Sequence, residues 1–206
     1  MIPKILTILL LAFLITSCSK SEKSDNNSST KVEQNKSIDT NSTKHIATDT
    51  NSSQKVALKK SILTIHTLDG KEIHVYEAQA GLTFQEYKNK TVFLIFFGYR
   101  CPPCLYEMPN LIALMAKKHP DLEIIALEVQ GLNSEQLKLF KEKKGINYTL
   151  AVGDQNNQLI QYIASRAGWQ GSIPFFLAFD KKGTVKVVHV GALGAKELDS
   201  VYNNLK

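Results

Sequence analysis

The sequence has few cysteines and no long apolar run, and each absence excludes a class of protein. Three cysteines among 206 residues are too few to build a small disulfide-rich scaffold. No stretch of about 20 consecutive apolar residues occurs, which excludes a protein with several membrane-spanning helices. The 43% share of hydrophobic residues is ordinary for a globular protein and excludes disorder over the whole length.

A concentrated basic face is also missing. The formal net charge is +6, but residues 1–60 carry 9 Lys and Arg against 5 Asp and Glu, while residues 61–206 carry 16 against 14. A nucleic-acid-binding protein gathers its Lys and Arg on the folded part of the chain. We therefore expect no nucleic-acid partner.

Residues 19–60 contain no aromatic residue, no glycine and no proline. Ser, Thr and Asn dominate this stretch, and its apolar residues are isolated. Such a composition cannot bury enough apolar surface to offset the entropy lost on ordering. The sequence therefore predicts that residues 18–60 form a flexible tether ahead of a folded domain.

The first 17 residues have the composition of a secretory signal peptide. Lys4 precedes an apolar stretch at 5–15, and the small residues Thr16 and Ser17 stand directly before Cys18. At about 1.5 Å per residue, this stretch is too short to cross a hydrocarbon core of about 30 Å as a helix.

The end of this segment, Ile15-Thr16-Ser17-Cys18, resembles the lipobox of bacterial lipoproteins. The resemblance implies cleavage after residue 17, thioether lipidation of Cys18 and acylation, as with palmitate, of its new amino terminus. Several acyl chains make membrane binding durable, whereas a single chain is marginal. The expected location is the bacterial cell envelope, lipid-anchored to a membrane and facing the periplasm or extracytoplasmic space.

Residues 61–206 alternate between strand and helix patterns. The apolar run at 91–97 is rich in β-branched and aromatic residues and predicts a strand buried on both faces. Further strands are predicted at 61–66, 72–76, 122–129, 148–152, 175–179 and 184–190. Helices are predicted from the 101–104 segment to near 119–120, at 134–144, at 155–166 and at 195–205. This order predicts an α/β sandwich: a mixed central sheet flanked by helices, with an N-terminal β-hairpin.

Two helix starts are predicted from capping residues. Thr83 and Glu86 form the pattern of a capping box, which predicts a short helix at 82–89. Ser134 is the expected N-cap of the helix that ends at Gly145.

Cys101 and Cys104 are separated by two prolines and follow the predicted buried strand. A helix N-terminus favours negative charge, so it favours the thiolate of the first cysteine, which is the nucleophilic form. The second thiol is near enough to displace a mixed disulfide, and prolines suit a first helical turn. We expect a redox-active pair. The alternatives are a structural disulfide, half of a zinc site, and two inert buried cysteines, but so short a loop constrains the unfolded chain little and no second pair of zinc ligands has suitable spacing.

The segment 96–104, Phe-Phe-Gly-Tyr-Arg-Cys-Pro-Pro-Cys, resembles the active-site signature of the thioredoxin superfamily. Glu107 and Pro109 follow as in TlpA-like, membrane-anchored thiol:disulfide reductases. Ile173-Pro174 resembles the cis-proline loop, and the strand and helix near 146–166 resemble the strand–helix unit inserted in this subgroup. The resemblance implies a thioredoxin-like fold over residues 61–206.

The resemblance also implies a role for each matching residue. Cys101 would be the attacking thiol and Cys104 the resolving thiol. Glu107 would exchange a proton with Cys104, unless it is a solvated helix residue. Pro174 would be cis and pack against the disulfide, unless it is an ordinary proline at a strand entry, and Ile173 would offer backbone hydrogen bonds to an extended substrate.

Two positions depart from the family pattern. Ile95 stands where thioredoxins carry a buried Asp, so that proton relay is missing. Arg100 stands in place of the common Trp, and its guanidinium either stabilises the neighbouring thiolate or lies on the surface. Tyr99 and Arg100 are expected to border the substrate.

The expected function is reduction of disulfides in exported proteins, for example during cytochrome c maturation, with electrons from a membrane thiol protein. A thiol oxidase or isomerase would use the same residues, because direction depends on the redox potential. A copper-binding assembly module is a further alternative, with His189 as a loose candidate ligand, and a peroxidase lacks its expected Pro-x-x-x-Thr-x-x-Cys pattern. We expect a monomer with no cofactor and no metal site.

Overall fold

A computed structural model describes residues 63–206. The predicted signal peptide, Cys18 and the tether lie outside the described residues, so those predictions stand as made. The strands are β1 (Leu63–His66), β2 (Glu72–Ala78), β3 (Gly81–Phe84), β4 (Thr91–Phe97), β5 (Leu122–Glu128), β6 (Thr149–Val152), β7 (Phe175–Phe179) and β8 (Val185–Val190). The helices are α1 (Pro102–Ala116), α2 (Ser134–Lys144), α3 (Asn157–Ala167) and α4 (Ala195–Leu205).

Five strands form a mixed central sheet in the order β6-β5-β4-β7-β8. β4 pairs parallel with β5 and antiparallel with β7, and every residue of β4 is buried. Its continuous apolar sequence is what a strand covered on both faces requires. The predicted mixed sheet is therefore confirmed, with β4 at its centre.

The two faces of the sheet carry different layers. Phe93, Ile95 and Phe97 of β4 belong to a core cluster with α1, α2 and α4. Val92, Leu94 and Phe96 face the opposite way, into a cluster with α3 and strands β1–β3. This alternation follows from the two-residue period of a strand. The described residues include no helix with both the length and the apolar character needed to span a bilayer.

The predicted helix at 82–89 is wrong. Leu82 and Phe84 lie in β3, which pairs antiparallel with β2 and so extends the predicted hairpin into a three-stranded sheet. Both side chains are buried, which a strand achieves through alternation. Glu86 does not cap Thr83, because its carboxylate accepts from the backbone N–H of His74 at 2.8 Å and contacts the His74 ring. Only a single 3₁₀ turn, Gln85–Tyr87, follows β3.

Helix α2 has the predicted bounds but a different cap. Asn133, not Ser134, is the N-cap: its side chain accepts from the N–H of Gln136 at 2.9 Å, and Gln136 Oε1 accepts from the N–H of Asn133 at 3.1 Å. Gly145 ends the helix in the left-handed region, with φ 65°, as predicted. The predicted strand–helix unit is present as β6 and α3.

Candidate active site

Cys101 and Cys104 lie at the junction between β4 and α1: Cys101 directly precedes α1 and Cys104 is in its first turn. The loop 98–100 leaves the carboxyl end of β4, and Cys101 is the N-cap residue of α1, with extended backbone angles (φ −86°, ψ 109°). The two cysteines form a disulfide, with their Cα atoms 5.2 Å apart. The predicted pair is therefore assembled at a helix N-terminus.

The helix start directs one N–H group at the first sulfur. Pro102 and Pro103 carry no N–H, so the first donor on this turn is Cys104, whose N–H donates to Cys101 Sγ at 3.3 Å. This hydrogen bond and the positive end of the helix dipole both favour negative charge on Cys101. Cys101 is 6% exposed and Cys104 is 3% exposed, so both residues of the disulfide are buried.

The Ile173–Pro174 peptide bond is cis, as predicted. Pro174 is buried, and its carbonyl accepts the N–H of Gly191 at 2.9 Å, which ties the loop to the end of β8. Ile173 O lies 3.7 Å from Cys101 Sγ. The loop before β7 is therefore brought against Cys101 Sγ, although it is 72 residues distant along the chain.

Tyr99 and Arg100 lie in the loop between β4 and α1, directly before Cys101. The Arg100 guanidinium lies 4.8 Å from the centre of the Tyr99 ring, which is a cation–π arrangement. Arg100 is exposed and Tyr99 is half-buried against the core. Tyr106, one turn into α1, is 68% exposed and was not singled out in the sequence.

Glu107 is buried, and the alternative of a solvated helix residue is wrong. It is 1% exposed, and its Oε1 accepts the N–H of Leu193 at 3.0 Å. It shares the buried face of α1 with Cys104 and Met108, three and one residues away. Burial raises the pKa of Glu107 to about 7, against the opposing effect of the Leu193 hydrogen bond.

Ile95 and Trp169 serve packing. Ile95 is buried in the α1 face of β4, which places an aliphatic side chain where the resemblance expected an acid. Trp169 packs edge-on against Phe96, with ring centres 4.9 Å apart, and its Nε1 donates to Ser172 O at 2.7 Å. Neither residue brings a titratable group to the site.

The sequence analysis missed two residues that contact the loop before Cys101. Glu128 and Gln130, at the end of β5 and just beyond it, accept N–H groups of that loop. The available signal was a buried-strand pattern, the apolar run 124–127, that ends on the carboxylate of Glu128. His189, the loose copper candidate, lies on β8 opposite Phe176. Among residues 63–206, no group of three or more His, Cys, Asp and Glu side chains is placed to hold a metal ion.

Comparison with known proteins places this site in a family. The sequence profile of the AhpC/TSA family matches residues 66–188, which include both cysteines and the cis-proline loop. The chain belongs to the AhpC/TSA family.

The relatives of the chain include a thiol-disulfide oxidoreductase and a thioredoxin-like protein. The chain is 29% identical over 122 residues to the thiol-disulfide oxidoreductase ResA of Geobacillus kaustophilus, a match that covers 59% of this chain and 66%, just under two thirds, of that protein. It is 24% identical over 147 residues to the thioredoxin-like protein YneN of Bacillus subtilis, covering 65% of this chain and 82% of that protein. These matches confirm the predicted relationship to thioredoxin-like disulfide oxidoreductases.

Solved structures confirm the fold. A thioredoxin-family thiol:disulfide interchange protein from Chlorobium tepidum aligns with a TM-score of 0.57 at 21% identity, over 69% of this chain and 91% of that one. A secreted disulfide oxidoreductase from Mycobacterium tuberculosis aligns with a TM-score of 0.54 at 21% identity, over 72% of this chain and 100% of that one. The AhpC/TSA chain therefore has the predicted thioredoxin-like fold.

Proposed function

We propose that this protein is a thiol:disulfide oxidoreductase of the bacterial cell envelope, and that it reduces disulfides of exported proteins through Cys101 and Cys104. The observation that carries the proposal is the Cys101–Cys104 disulfide at the N-terminus of α1, beside the cis Ile173–Pro174 bond. The names of the relatives support the same chemistry.

The exchange takes two steps. The Cys101 thiolate attacks a substrate disulfide, so that a mixed disulfide forms and one substrate thiolate leaves. The Cys104 thiolate then attacks Cys101 Sγ, which releases the second substrate thiolate and leaves the Cys101–Cys104 disulfide. Two electrons pass to the substrate, and a thiol protein of the membrane supplies two electrons to restore the dithiol.

Glu107 serves the second step. Cys104 must lose its proton before it attacks, and Glu107 lies one helical turn away on the same buried face. A carboxyl group with a pKa of about 7 exchanges protons efficiently near neutral pH. We propose that the Glu107 carboxylate accepts the proton that the Cys104 thiol loses in this step.

The surface around Cys101 receives the substrate. Ile173 offers backbone hydrogen bonds to an extended segment that carries the target disulfide, and Pro174 packs behind it. Tyr99 and Arg100 border the same opening, where the guanidinium lies over the aromatic ring. Apocytochrome c is the type of substrate that the resemblance to TlpA-like reductases favours.

The location follows from the N-terminal sequence. The lipobox-like segment at Cys18 and the polar tether after it support an anchored protein whose domain works outside the cytoplasm. One structural relative is described as secreted. We propose that the lipid on Cys18 holds the domain near its membrane electron donor.

A disulfide-reduction assay tests this function. The full chain in detergent, supplied with dithiothreitol, is expected to accelerate the reduction of a disulfide-bonded protein such as insulin. Cys101→Ser should abolish the acceleration. Cys104→Ser should also lose turnover. When this variant is reduced, freed of dithiothreitol and mixed with insulin, it should accumulate a mixed disulfide, because the resolving thiol is missing and no external thiol reduces the adduct.

Cys18→Ser is the matched control, since it removes the third cysteine. It should retain the full rate of insulin reduction in detergent. A wild-type rate no faster than dithiothreitol alone, or an undiminished rate in Cys101→Ser, contradicts the proposed function.

A further inference from the structure

Two side chains from the end of β5 hold the loop that precedes the attacking cysteine. The N–H of Tyr99 donates to Glu128 Oε1 at 3.3 Å, and the N–H of Arg100 donates to Gln130 Oε1 at 2.9 Å. The next N–H, that of Cys101, donates to Gly98 O at 3.2 Å. Successive backbone groups before Cys101 are thus fixed, two of them by side chains about 30 residues along the chain.

Glu128 joins this loop to its neighbour. It is 1% exposed, and its carboxylate also accepts the N–H groups of Gln130 at 3.0 Å and Leu132 at 2.8 Å. Within residues 63–206, no Lys, Arg or His lies within 4 Å of this carboxylate as an ion pair. Its two oxygens accept backbone N–H groups from both the 98–100 loop and the 129–132 loop, so Glu128 joins the two loops.

Gly98 makes room for Gln130. A Cβ at Gly98 would overlap the side-chain carbons and Oε1 of Gln130, so the glutamine lies directly across the glycine. This contact leaves Gln130 Oε1 aimed at the N–H of Arg100. The Gln130 side chain therefore occupies the space that a side chain at residue 98 would fill, and its orientation depends on glycine at that position.

We propose that Gln130, supported by Glu128 and accommodated by Gly98, is a positioning residue for the attacking thiol. By holding the backbone at Arg100, it keeps Cys101 in its N-cap geometry, with Sγ facing the N–H of Cys104 and the carbonyl of Ile173. Loss of the Gln130 acceptor frees the Arg100 N–H and lets the loop carry Cys101 Sγ out of that geometry. The thiolate of Cys101 then loses part of its stabilisation. This inference builds on the proposed function but concerns the reactivity of Cys101 itself.

The test compares two side chains of equal length. Gln130→Met keeps the packing over Gly98 and removes the acceptor. The full-length protein in detergent is reduced, and iodoacetamide alkylation of Cys101 is followed from pH 5 to 10 by peptide mass spectrometry. We expect the rate constant at pH 7 to fall about two- to ten-fold, the loss that one hydrogen bond of ordinary strength produces, with the pH profile displaced to higher pH.

A second variant and a control separate positioning from general damage. Gly98→Ala should displace Gln130 and slow the alkylation of Cys101 by a similar factor. The double variant Gly98→Ala/Gln130→Met should be alkylated no more slowly than Gly98→Ala alone. Gln155→Met is the matched control, because Gln155 is another exposed glutamine whose hydrogen bond, to Ser134 Oγ at 3.0 Å, is outside this loop. It should leave the alkylation profile unchanged, and all four variants should keep a cooperative thermal transition.

An unchanged alkylation profile in Gln130→Met overturns the inference, as does an equal displacement in Gln155→Met. Alkylation requires no protein substrate, so the readout is independent of insulin reduction. A displaced profile in Gln130→Met with no insulin reduction by the wild type would support the positioning role and contradict the proposed function.

Discussion

The surroundings of Glu107 and Asp121 shift the pKa values of these two carboxyl groups in opposite directions. Burial without a cation raises the pKa of Glu107 to about 7. Hydrogen bonds from Lys181 and then from Tyr202 lower the pKa of Asp121 to about 2. A carboxyl group poised near neutrality beside a redox-active disulfide suits proton exchange, whereas the Asp121 carboxylate serves as a fixed acceptor.

The raised pKa of Glu107 predicts a dependence of stability on pH. The unfolded chain releases this proton near pH 4.5 and the folded chain near 7, so between these values the folded state binds more protons. The Glu107 contribution to the free energy of unfolding is therefore complete below pH 4.5 and is lost as pH rises through 7. Glu107→Gln, which cannot ionise, should gain stability relative to wild type across this range, by about 3 kcal/mol.

Urea denaturation of the oxidised proteins at several pH values between 4 and 8.5 measures this difference. Gln retains an acceptor for the N–H of Leu193, so the variant should remain folded. Glu135→Gln is a suitable control, because Glu135 is an exposed residue in the first turn of α2. Parallel stability curves for wild type and Glu107→Gln would contradict the assigned burial effect.

At the scale of elements, hydrophobic periodicity predicted the helices and strands better than the capping patterns did. The apolar run at 91–97 and the spacing of α1 predicted a central strand and the helix after the cysteines. The burial of Glu107 was also available from the sequence, because it lies three residues from Cys104 and four from Leu111 on the apolar stripe. The sequence motifs predicted that Cys101 pairs with Cys104 and that the bond before Pro174 is cis, and each motif is a short local stretch.

Contacts between distant segments account for the errors. Thr83 and Glu86 matched a capping box, but Glu86 instead binds His74, and the alternation of Leu82 and Phe84 satisfies a strand. The hydrogen bonds of Glu128 and Gln130 to the active-site loop depend on the β4–β5 register, in which Phe97 lies opposite Glu128. No local pattern encodes that pairing, so the contacts of Glu128 and Gln130 with the active-site loop could not be predicted from the sequence.

The end of α2 gives a prediction at this scale. Gly145 has φ 65°, and a Cβ there would meet no atom within 4 Å. The cost of Gly145→Ala is therefore conformational, and we expect about 1 kcal/mol of lost stability by urea denaturation. Gly145→Asn should lose less, because asparagine tolerates this region.

Lys143→Ala, in the exposed last turn of α2, is the control and should change stability by less than about 0.5 kcal/mol. Equal losses in Gly145→Ala and Gly145→Asn would argue against a conformational origin.

At the scale of the whole molecule, the proposed lipid anchor and the redox chemistry depend on different cysteines, so they can be removed independently. Cys18→Ser should move the protein from the membrane fraction to the soluble fraction of a bacterium that processes lipoproteins, because the acyl chains supply the membrane affinity. Cys101→Ser should remain in the membrane fraction. Membrane recovery of Cys18→Ser equal to wild type would contradict lipid anchoring at this residue.

The reduction potential of the Cys101–Cys104 pair tests the central claim most directly. The full chain in detergent is equilibrated in graded glutathione buffers, and the disulfide is quantified after alkylation of free thiols. The account predicts a two-electron transition near −270 mV, the potential of a reductant that needs an electron supply. A transition near −120 mV would make the protein a disulfide donor, and the absence of an intramolecular disulfide at every potential would contradict the oxidoreductase function itself.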